Sequence, residues 1–168
     1  MSETIINKVA ESGLITIDLE EYYPREEIVV FDLKPFLFQE LILKEKVFRQ
    51  QLLQHDWSAY AGKIVAVNCS ADVVIPVWAY MLVAVYLQPV AREIIMGNHE
   101  EALRQVFIKN LQSIPVHTLL DKRIVIKGCG EKPVSESLYF EITKLLLPVA
   151  KSIMYGEPCS TVPVYKKK

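Results

Sequence analysis

The chain has 168 residues, of which 51% are hydrophobic and 23% charged, a composition that suits one well-buried globular domain. Its formal net charge of −1 provides no electrostatic attraction to nucleic acid, so a nucleic-acid partner is not expected. Three cysteines cannot all pair within one chain, and the acidic Glu3 is untypical of the start of a signal peptide. We therefore expect a cytoplasmic protein with reduced thiols and a single domain over residues 1–168.

The first third of the chain predicts a short helix, two strands and a longer helix. Residues 4–12 predict a helix that ends at Gly13, and residues 14–19 and 27–33 carry the β-branched and aromatic residues typical of strands. The turn at Pro24 favours pairing of these strands as an N-terminal β-hairpin. A helical pattern then begins at Pro35 and ends before residue 55.

The rest of the chain predicts two β-α-β units and an extended tail. The strands and helices are expected at residues 64–68, 76–88, 92–96, 124–127, 135–147 and 152–155. Between the units, Asn98 and Glu101 have the spacing of a helix capping box, and Pro115 ends that helix. The tail, residues 157–168, is expected to run extended over the surface because it holds two closely spaced prolines.

The two β-α-β units are an internal repeat, residues 63–97 and 123–156. Cys69 and Cys129 end similar strands sixty positions apart, whereas the Pro89 and Pro148 stretches match at 59, which indicates the loss of one residue between cysteine and proline. The predicted fold is therefore α/β: a single domain with a mixed, mostly parallel sheet, built from the two repeated units plus the N-terminal hairpin.

Residues 73–91 form the most apolar stretch, in which Gln88 is the one clearly polar side chain. Prolines at both ends limit its helix to about a dozen residues, too few to cross a bilayer of about 30 Å. The repeat-related stretch carries charged residues at interior positions. We predict a buried core helix and no membrane association.

Three cysteines mark the candidate site. Cys69 and Cys129 each follow a strand and precede a helix, where ligands bind in open α/β sheets, and Cys159 lies three positions beyond Gly156. Three thiols meeting at one edge suit a zinc ion or an iron–sulfur cluster. Asp72 is a candidate oxygen ligand, base or helix cap, and His99 a candidate ligand or a first-turn helix residue.

Two other interpretations of the cysteines stay open. There is no Cys-x-x-Cys pair to bring the thiols together, so they can be three unrelated small buried side chains. Alternatively, Cys69 or Cys129 is a reactive thiolate whose pKa is lowered at the start of a helix. Motifs of dinucleotide, P-loop and common hydrolase sites do not occur in the sequence.

Three stretches, residues 68–72, 127–129 and above all 151–163 with its MYGEPCSTVP run, resemble the signatures of a bacterial conserved-hypothetical family. The resemblance covers essentially the whole chain, and the family has no established activity. Genes of that family often lie near iron–sulfur assembly genes, so the resemblance implies iron–sulfur assembly proteins as partners.

The function predicted from the sequence is that of a metal-ion or iron–sulfur carrier or accessory protein, with Cys69, Cys129, Cys159, Asp72 and His99 as candidate ligands. The alternatives are a cysteine-thiolate enzyme and a non-catalytic interaction protein. In the last case a partner, or a second subunit of a homo-oligomer, covers the apolar helix at residues 76–88.

Overall fold

The computed structural model describes residues 13–157 and 159–168, and the helix predicted at residues 4–12 lies outside them. The chain divides into two compact units. The inserted unit is residues 24–105. The split unit comprises residues 13–23 and 106–168 among those described, so its sequence is interrupted by the inserted unit. The single-domain organisation of residues 1–168 stays a prediction.

Seven strands and four α-helices are present among the described residues. In chain order they are β1 (Leu14–Asp18), β2 (Ile28–Asp32), α1 (Glu45–Gln54), β3 (Ile64–Asn68), α2 (Val77–Leu87), β4 (Glu93–Met96), α3 (His99–Gln112), β5 (Arg123–Lys127), α4 (Glu136–Leu146), β6 (Ser152–Glu157) and β7 (Ser160–Lys166). Helix α3 begins in the inserted unit and ends in the split unit. The α/β class predicted from the sequence is confirmed.

The inserted unit has a three-stranded parallel sheet in the order β2-β3-β4. Its central strand β3 is apolar and buried at its first four positions, as expected for a strand with parallel neighbours on both sides. Phe31 of β2, Phe48 and Leu52 of α1, and Val83 of α2 pack with it into one hydrophobic core. The β-α-β connection between β3 and β4 is the first repeat unit predicted from the sequence.

The split unit has a four-stranded sheet in the order β1-β5-β6-β7, in which β7 alone runs antiparallel to its neighbour. Its core contains Phe107 and Leu111 of α3 and the buried face of α4, including Ile142. The chain therefore forms two sheets and not the one mixed sheet that was predicted.

The predicted N-terminal hairpin is wrong. Strand β1 pairs in parallel with β5, whereas β2 pairs in parallel with β3, so each belongs to a different sheet. The physical cause lies directly after β1, where a turn of 3₁₀ helix, Leu19–Tyr22, buries Leu19 completely in the core of the split unit. The chain is anchored there and does not fold back in a tight turn.

The hairpin of this fold lies at the other end of the chain. The tail predicted to run over the surface is extended, but β7 pairs antiparallel with β6 from Ser152 to Glu157. Pro163 is tolerated because β7 is an edge strand, and its partner Met154 lies at a shift in the register of the ladder.

The helix predicted from Pro35 is shorter than expected. Lys34–Phe36 form a turn of 3₁₀ helix, and α1 begins only at Glu45. Between them Gln39 and Glu40 have positive φ angles of 53° and 58°, which a helix does not allow.

Equivalent residues of the two repeat units are separated by a constant 59 positions in the sequence. Helices α2 and α4, each of 11 residues, begin at Val77 and Glu136 and present matching buried positions. The parallel pairs Ile64–Glu93 and Arg123–Ser152 obey the same shift. The predicted one-residue loss is therefore wrong: Cys69 corresponds to Gly128, and Cys129 corresponds to Ser70. The repeat also extends upstream, since Phe48 and Leu52 correspond to Phe107 and Leu111.

Helix α2 differs from the buried helix predicted from the sequence. Ala79, Val83 and Leu87 are buried, but Val77 and Met81 are exposed on the opposite side. No helix in residues 13–157 or 159–168 is long and apolar enough to cross a membrane.

Candidate functional site

The predicted site residues are divided between the two units. Cys69 follows β3, Asp72 lies in the loop after it, and His99 opens α3, all in the inserted unit. Cys129 follows β5 and Cys159 lies in the turn between β6 and β7, both in the split unit. All three cysteines are free thiols. In the described part of the chain, no three His, Cys, Asp or Glu residues are grouped so as to hold a metal ion. The shared metal site stays a prediction.

The structure shows how His99 and Asp72 are placed relative to helices α3 and α2. The predicted capping box is present: Asn98 Oδ1 accepts from the Glu101 N–H at 2.9 Å, and Glu101 Oε2 accepts from the Asn98 N–H at 2.8 Å. His99 is then the first residue of α3. Asp72 does not cap α2, which begins after Pro76 without a side-chain cap.

Cys129 has polar partners. Its Sγ lies 3.5 Å from the hydroxyl oxygen of Tyr155 on β6. Tyr139 on α4 is the second aromatic neighbour, and the rings of Tyr139 and Tyr155 meet edge to face, with centroids 5.5 Å apart. The thiol therefore lies at the carboxyl end of β5 and interacts with two phenol groups, one from the adjacent strand and one from the helix that follows.

Gly128 is what allows Tyr139 to approach. A Cβ at this position would lie 2.7 Å from the Tyr139 hydroxyl oxygen, so the phenol would have to move, and 3.2 Å from Cβ of Leu19, which is a tight contact. Because position 128 has no side chain, the phenol reaches the end of β5. In the inserted unit the corresponding position carries the Cys69 side chain, so that unit does not reproduce this arrangement.

Hydrogen bonds from the phenols favour the thiolate form of Cys129. The hydrogen bond from Tyr155, then that from Tyr139 and one from the Gly128 backbone, lower the pKa of the Cys129 thiol, while slight burial and the charge of Glu157 oppose them. The sequence attributed a lowered pKa to the start of a helix. The structure assigns it chiefly to Tyr155.

The same contacts act on the two phenols in the opposite sense. The pKa of Tyr155 is raised by its hydrogen bond to Cys129 and by the thiolate charge. Burial, and then the charge of Cys129, raise the pKa of Tyr139 strongly. Both phenols therefore stay protonated while the thiol ionises, and both remain hydrogen-bond donors to the sulfur.

Lys127, the last residue of β5, forms ion pairs with two carboxylates. Its Nζ lies 3.1 Å from Asp18 Oδ2 and 3.8 Å from Glu157 Oε1. The hydrogen bond and the charge of Asp18 raise the pKa of Lys127. Asp18 on β1 and Glu157 on β6 thus balance the positive charge of Lys127. These ion pairs link the three parallel strands β1, β5 and β6 at their carboxyl ends.

Glu20 fixes the loop that follows Cys129. Its carboxylate accepts hydrogen bonds from three consecutive backbone N–H groups, those of Gly130, Glu131 at 3.1 Å and Lys132 at 3.2 Å. Such a concave row of N–H groups is a ready binding place for an anion, and here a side chain of the same unit fills it. The loop is held in the conformation that places Cys129 beside Tyr155.

A cavity of about 560 Å³ opens next to Cys129. This volume lies within the range of small-molecule sites. Its wall is mostly apolar and carries a few polar groups. The lining residues are Ile126, Gly128, Cys129, Val134, Glu136, Tyr139, Thr143, Ile153, Met154, Tyr155 and Val164. A thiol, two phenols and one carboxylate thus face a space large enough for a small molecule.

The inserted unit has a cavity at the corresponding positions but no thiol in it. That cavity, of about 550 Å³, is lined by Val67, Ile75, Val77, Tyr80, Met81, Ala84, Ile94, Ile95 and Met96. Ser70, the counterpart of Cys129, instead donates from its N–H at 2.9 Å and its hydroxyl at 2.5 Å to Asp32. Burial tends to raise the pKa of Asp32, but these bonds and that from Lys34 N–H outweigh it and lower the pKa.

Sequence reasoning identified Cys129 but not Tyr139, Tyr155, Gly128 or Glu20. A signal for Tyr139 was present, since Tyr80 lies 59 positions before it in the matching helix. Aligning the repeat on the cysteines concealed this correspondence. Nothing in the pattern linked Glu20 to residues 130–132, because that contact spans more than a hundred positions.

The comparisons with known proteins identify the chain by family alone. No curated protein and no solved structure is significantly similar to it. The family model described as "Protein of unknown function (DUF2480)" matches residues 3–167. Since this match spans nearly every residue of the chain, the protein belongs to the DUF2480 family.

Proposed function

We propose that the protein is a thiol-dependent enzyme in which Cys129 is the nucleophile that attacks a small substrate bound in the adjacent cavity. The observation that carries this proposal is the 3.5 Å contact between Cys129 Sγ and the Tyr155 hydroxyl at the wall of a cavity of about 560 Å³. A reactive cysteine needs a stabilised thiolate that is accessible, and Cys129 is exposed.

The reaction that suits this set of groups is nucleophilic substitution or addition. The Cys129 thiolate donates an electron pair to an electrophilic carbon of the substrate and forms an S–C bond, and the displaced electrons move to a leaving group or to a carbonyl oxygen. Tyr139 and Tyr155 remain protonated and can donate hydrogen bonds to negative charge that develops on the substrate. They do so from fixed elements, a helix and a strand.

The cavity wall favours a substrate with an apolar body and a polar reacting end. Ile126, Val134 and Ile153 provide aliphatic contacts, whereas the phenols and the thiol lie together. Apolar walls with a small number of oriented polar groups are typical of small-molecule sites. Thr143 also lines this wall, where the inserted unit has Ala84, and its hydroxyl donates to the Tyr139 carbonyl oxygen at 2.7 Å.

The zinc or iron–sulfur function predicted from the sequence differs from this proposal in what it requires of Cys129. A metal ligand needs further donors around the same ion, and the described residues group no three such side chains. A nucleophile needs neither Cys69 nor Cys159. Removal of these two cysteines therefore distinguishes the two functions.

Competitive alkylation tests the proposal. The protein, confirmed metal-free by elemental analysis, is treated at pH 7 with limiting iodoacetamide, and the modified peptides are quantified by mass spectrometry. Cys129 is expected to react fastest of the three cysteines, because a lowered pKa leaves more of its thiol as thiolate at neutral pH. The Cys69→Ser/Cys159→Ser double variant should retain this rate.

Two outcomes would contradict the thiol function. One is alkylation of all three cysteines at equal rates. The other is co-purification of about one metal equivalent that is lost together with the fast reaction when either Cys69 or Cys159 is replaced, since this is the behaviour of a shared ligand set.

A further inference from the structure

The outer edges of the two sheets differ in whether an additional described strand covers them. In the split unit, β6 is covered by the antiparallel strand β7. In the inserted unit, β4 corresponds to β6 and pairs with β3 on one side, but no strand of residues 13–157 or 159–168 pairs with its other side. Among the described strands, none therefore covers the outer edge of the inserted unit at the place where the split unit has β7.

The cavities beside these edges show what the added strand contributes. In the split unit Val164 of β7 is part of the cavity wall, so the strand both pairs with β6 and places an aliphatic side chain against the cavity. The cavity of the inserted unit has eight of its nine lining residues at positions equivalent to those of the other cavity. None of the described residues that line it corresponds to Val164.

The surface around the outer edge of β4 is more apolar than the fold requires. On α2, Val77 and Met81 are 75% and 64% exposed, and on β4 Met96 is 67% exposed. Their counterparts at two of these positions are Glu136 and Tyr155, which shows that the same elements fold with polar groups there. Exposed apolar surface next to a sheet edge that no described strand covers marks an interaction site.

We propose that an extended segment of a partner protein binds as a fourth strand, antiparallel to β4, and inserts an aliphatic side chain into the cavity lined by Met81 and Met96. The partner chemistry is that of β7: a short strand whose alternate residues are aliphatic, such as Val162 and Val164. Main-chain hydrogen bonds to the edge provide affinity, and the cavity provides selectivity for the inserted side chain. This proposal does not depend on the role of Cys129.

The choice of an extended peptide rests on the repeat. The equivalent edge of the split unit accepts an antiparallel strand of seven residues, Ser160–Lys166. The first four residues of β6 correspond to β4, so the edge of β4 suits the same kind of segment over these positions. A second copy of the chain pairing edge to edge through β4 is the competing occupant, and the test separates the two.

The probe is a fluorescently labelled synthetic peptide with the sequence of residues 160–166, titrated into the full-length protein and followed by fluorescence anisotropy. We expect saturable binding to the wild type and at least tenfold weaker binding to Met81→Glu. The matched control is Phe140→Glu, at the equivalent position of α4, where the side chain is 67% exposed and does not line the other cavity. It should bind the peptide like the wild type.

Three results would overturn the proposal. The first is the absence of saturable binding to the wild type, and the second is equal binding by Met81→Glu and Phe140→Glu, which would place the peptide elsewhere. The third is a dimer in light scattering that Met81→Glu converts to a monomer, because a second copy would then be the occupant. Circular dichroism of both variants verifies that each is folded.

Discussion

The hydroxyl of Tyr139 occupies the space that a side chain at Gly128 would need, since a Cβ there would lie 2.7 Å from that oxygen. The glycine and the phenol are thus a matched pair. Gly128→Ala is expected to push the phenol away from the end of β5, and the pKa of Cys129 should rise because one of its hydrogen bonds weakens. The measurement is the thiolate absorbance near 240 nm as a function of pH, in a background without the other cysteines.

Tyr139→Phe is the control for that substitution. It removes the hydrogen bond without adding a methyl group, so it should raise the thiol pKa in the same direction. An unchanged titration in both variants would show that Tyr139 does not act on Cys129.

Tyr155→Phe tests the largest influence on the thiol. Its hydroxyl is the first cause of the lowered pKa of Cys129, so the pH midpoint of alkylation should move upward and the rate at pH 7 should fall. Tyr80→Phe, a replacement of a tyrosine in the inserted unit, is the control and should leave the Cys129 profile in place. Equal midpoints for Tyr155→Phe and the wild type would contradict the assignment.

The same hydrogen bond links stability to pH, with a definite sign. A thiol whose pKa is lower in the folded state stabilises the fold above its unfolded pKa of about 8.5, and this contribution is lost as the pH falls through the folded pKa. The wild type should therefore gain stability relative to Tyr155→Phe as the pH rises from 6 to 9. Chemical unfolding at a series of pH values measures the difference, and a constant or shrinking difference would contradict the linkage.

Glu20→Ala should loosen the loop that carries Cys129. The variant deprives three backbone N–H groups of a common carboxylate partner, and the expected cost is about 1 kcal/mol in the free energy of unfolding, because water can partly replace the lost bonds. Amide hydrogen exchange at residues 130–132 should accelerate. Glu21→Ala, at the next and exposed position, is the control and should change neither quantity.

Phe107→Ala and Phe48→Ala test the upstream extension of the repeat. These side chains are 1% and 0% exposed at equivalent positions of the two units. Each replacement should lower the free energy of unfolding by about 3–5 kcal/mol, the range for a large aromatic removed from a core. Urea unfolding provides the comparison. A loss below about 1 kcal/mol for either variant would show that its side chain is not part of the core.

Much of the fold could be predicted from local pattern. The apolar β-branched runs at β3 and β5 and the capping box at Asn98 were sufficient, because the interactions that form them lie within a few residues. The pairing of strands that lie far apart in the sequence could not be predicted from such local patterns. The partners of β1 and β2 depend on where Leu19 is buried, and no short-range pattern shows this.

The candidate site was predictable only in its position along the chain. Cys129 at the end of β5 follows from the general location of ligand sites in α/β sheets. Its partners do not, since Tyr139 depends on the absence of a side chain at Gly128 and Glu20 on a contact far away in sequence. The similarity of the Cys69 and Cys129 strands also suggested a symmetry that the constant shift of 59 positions removes.

The stabilised thiolate of Cys129 is tested most directly by the pH dependence of its alkylation in the Cys69→Ser/Cys159→Ser protein, where a single thiol reacts. We expect a midpoint below the usual thiol value of about 8.5, and an upward shift of that midpoint when Tyr155 is replaced by Phe. A midpoint at or above 8.5 that does not respond to Tyr155→Phe would contradict it.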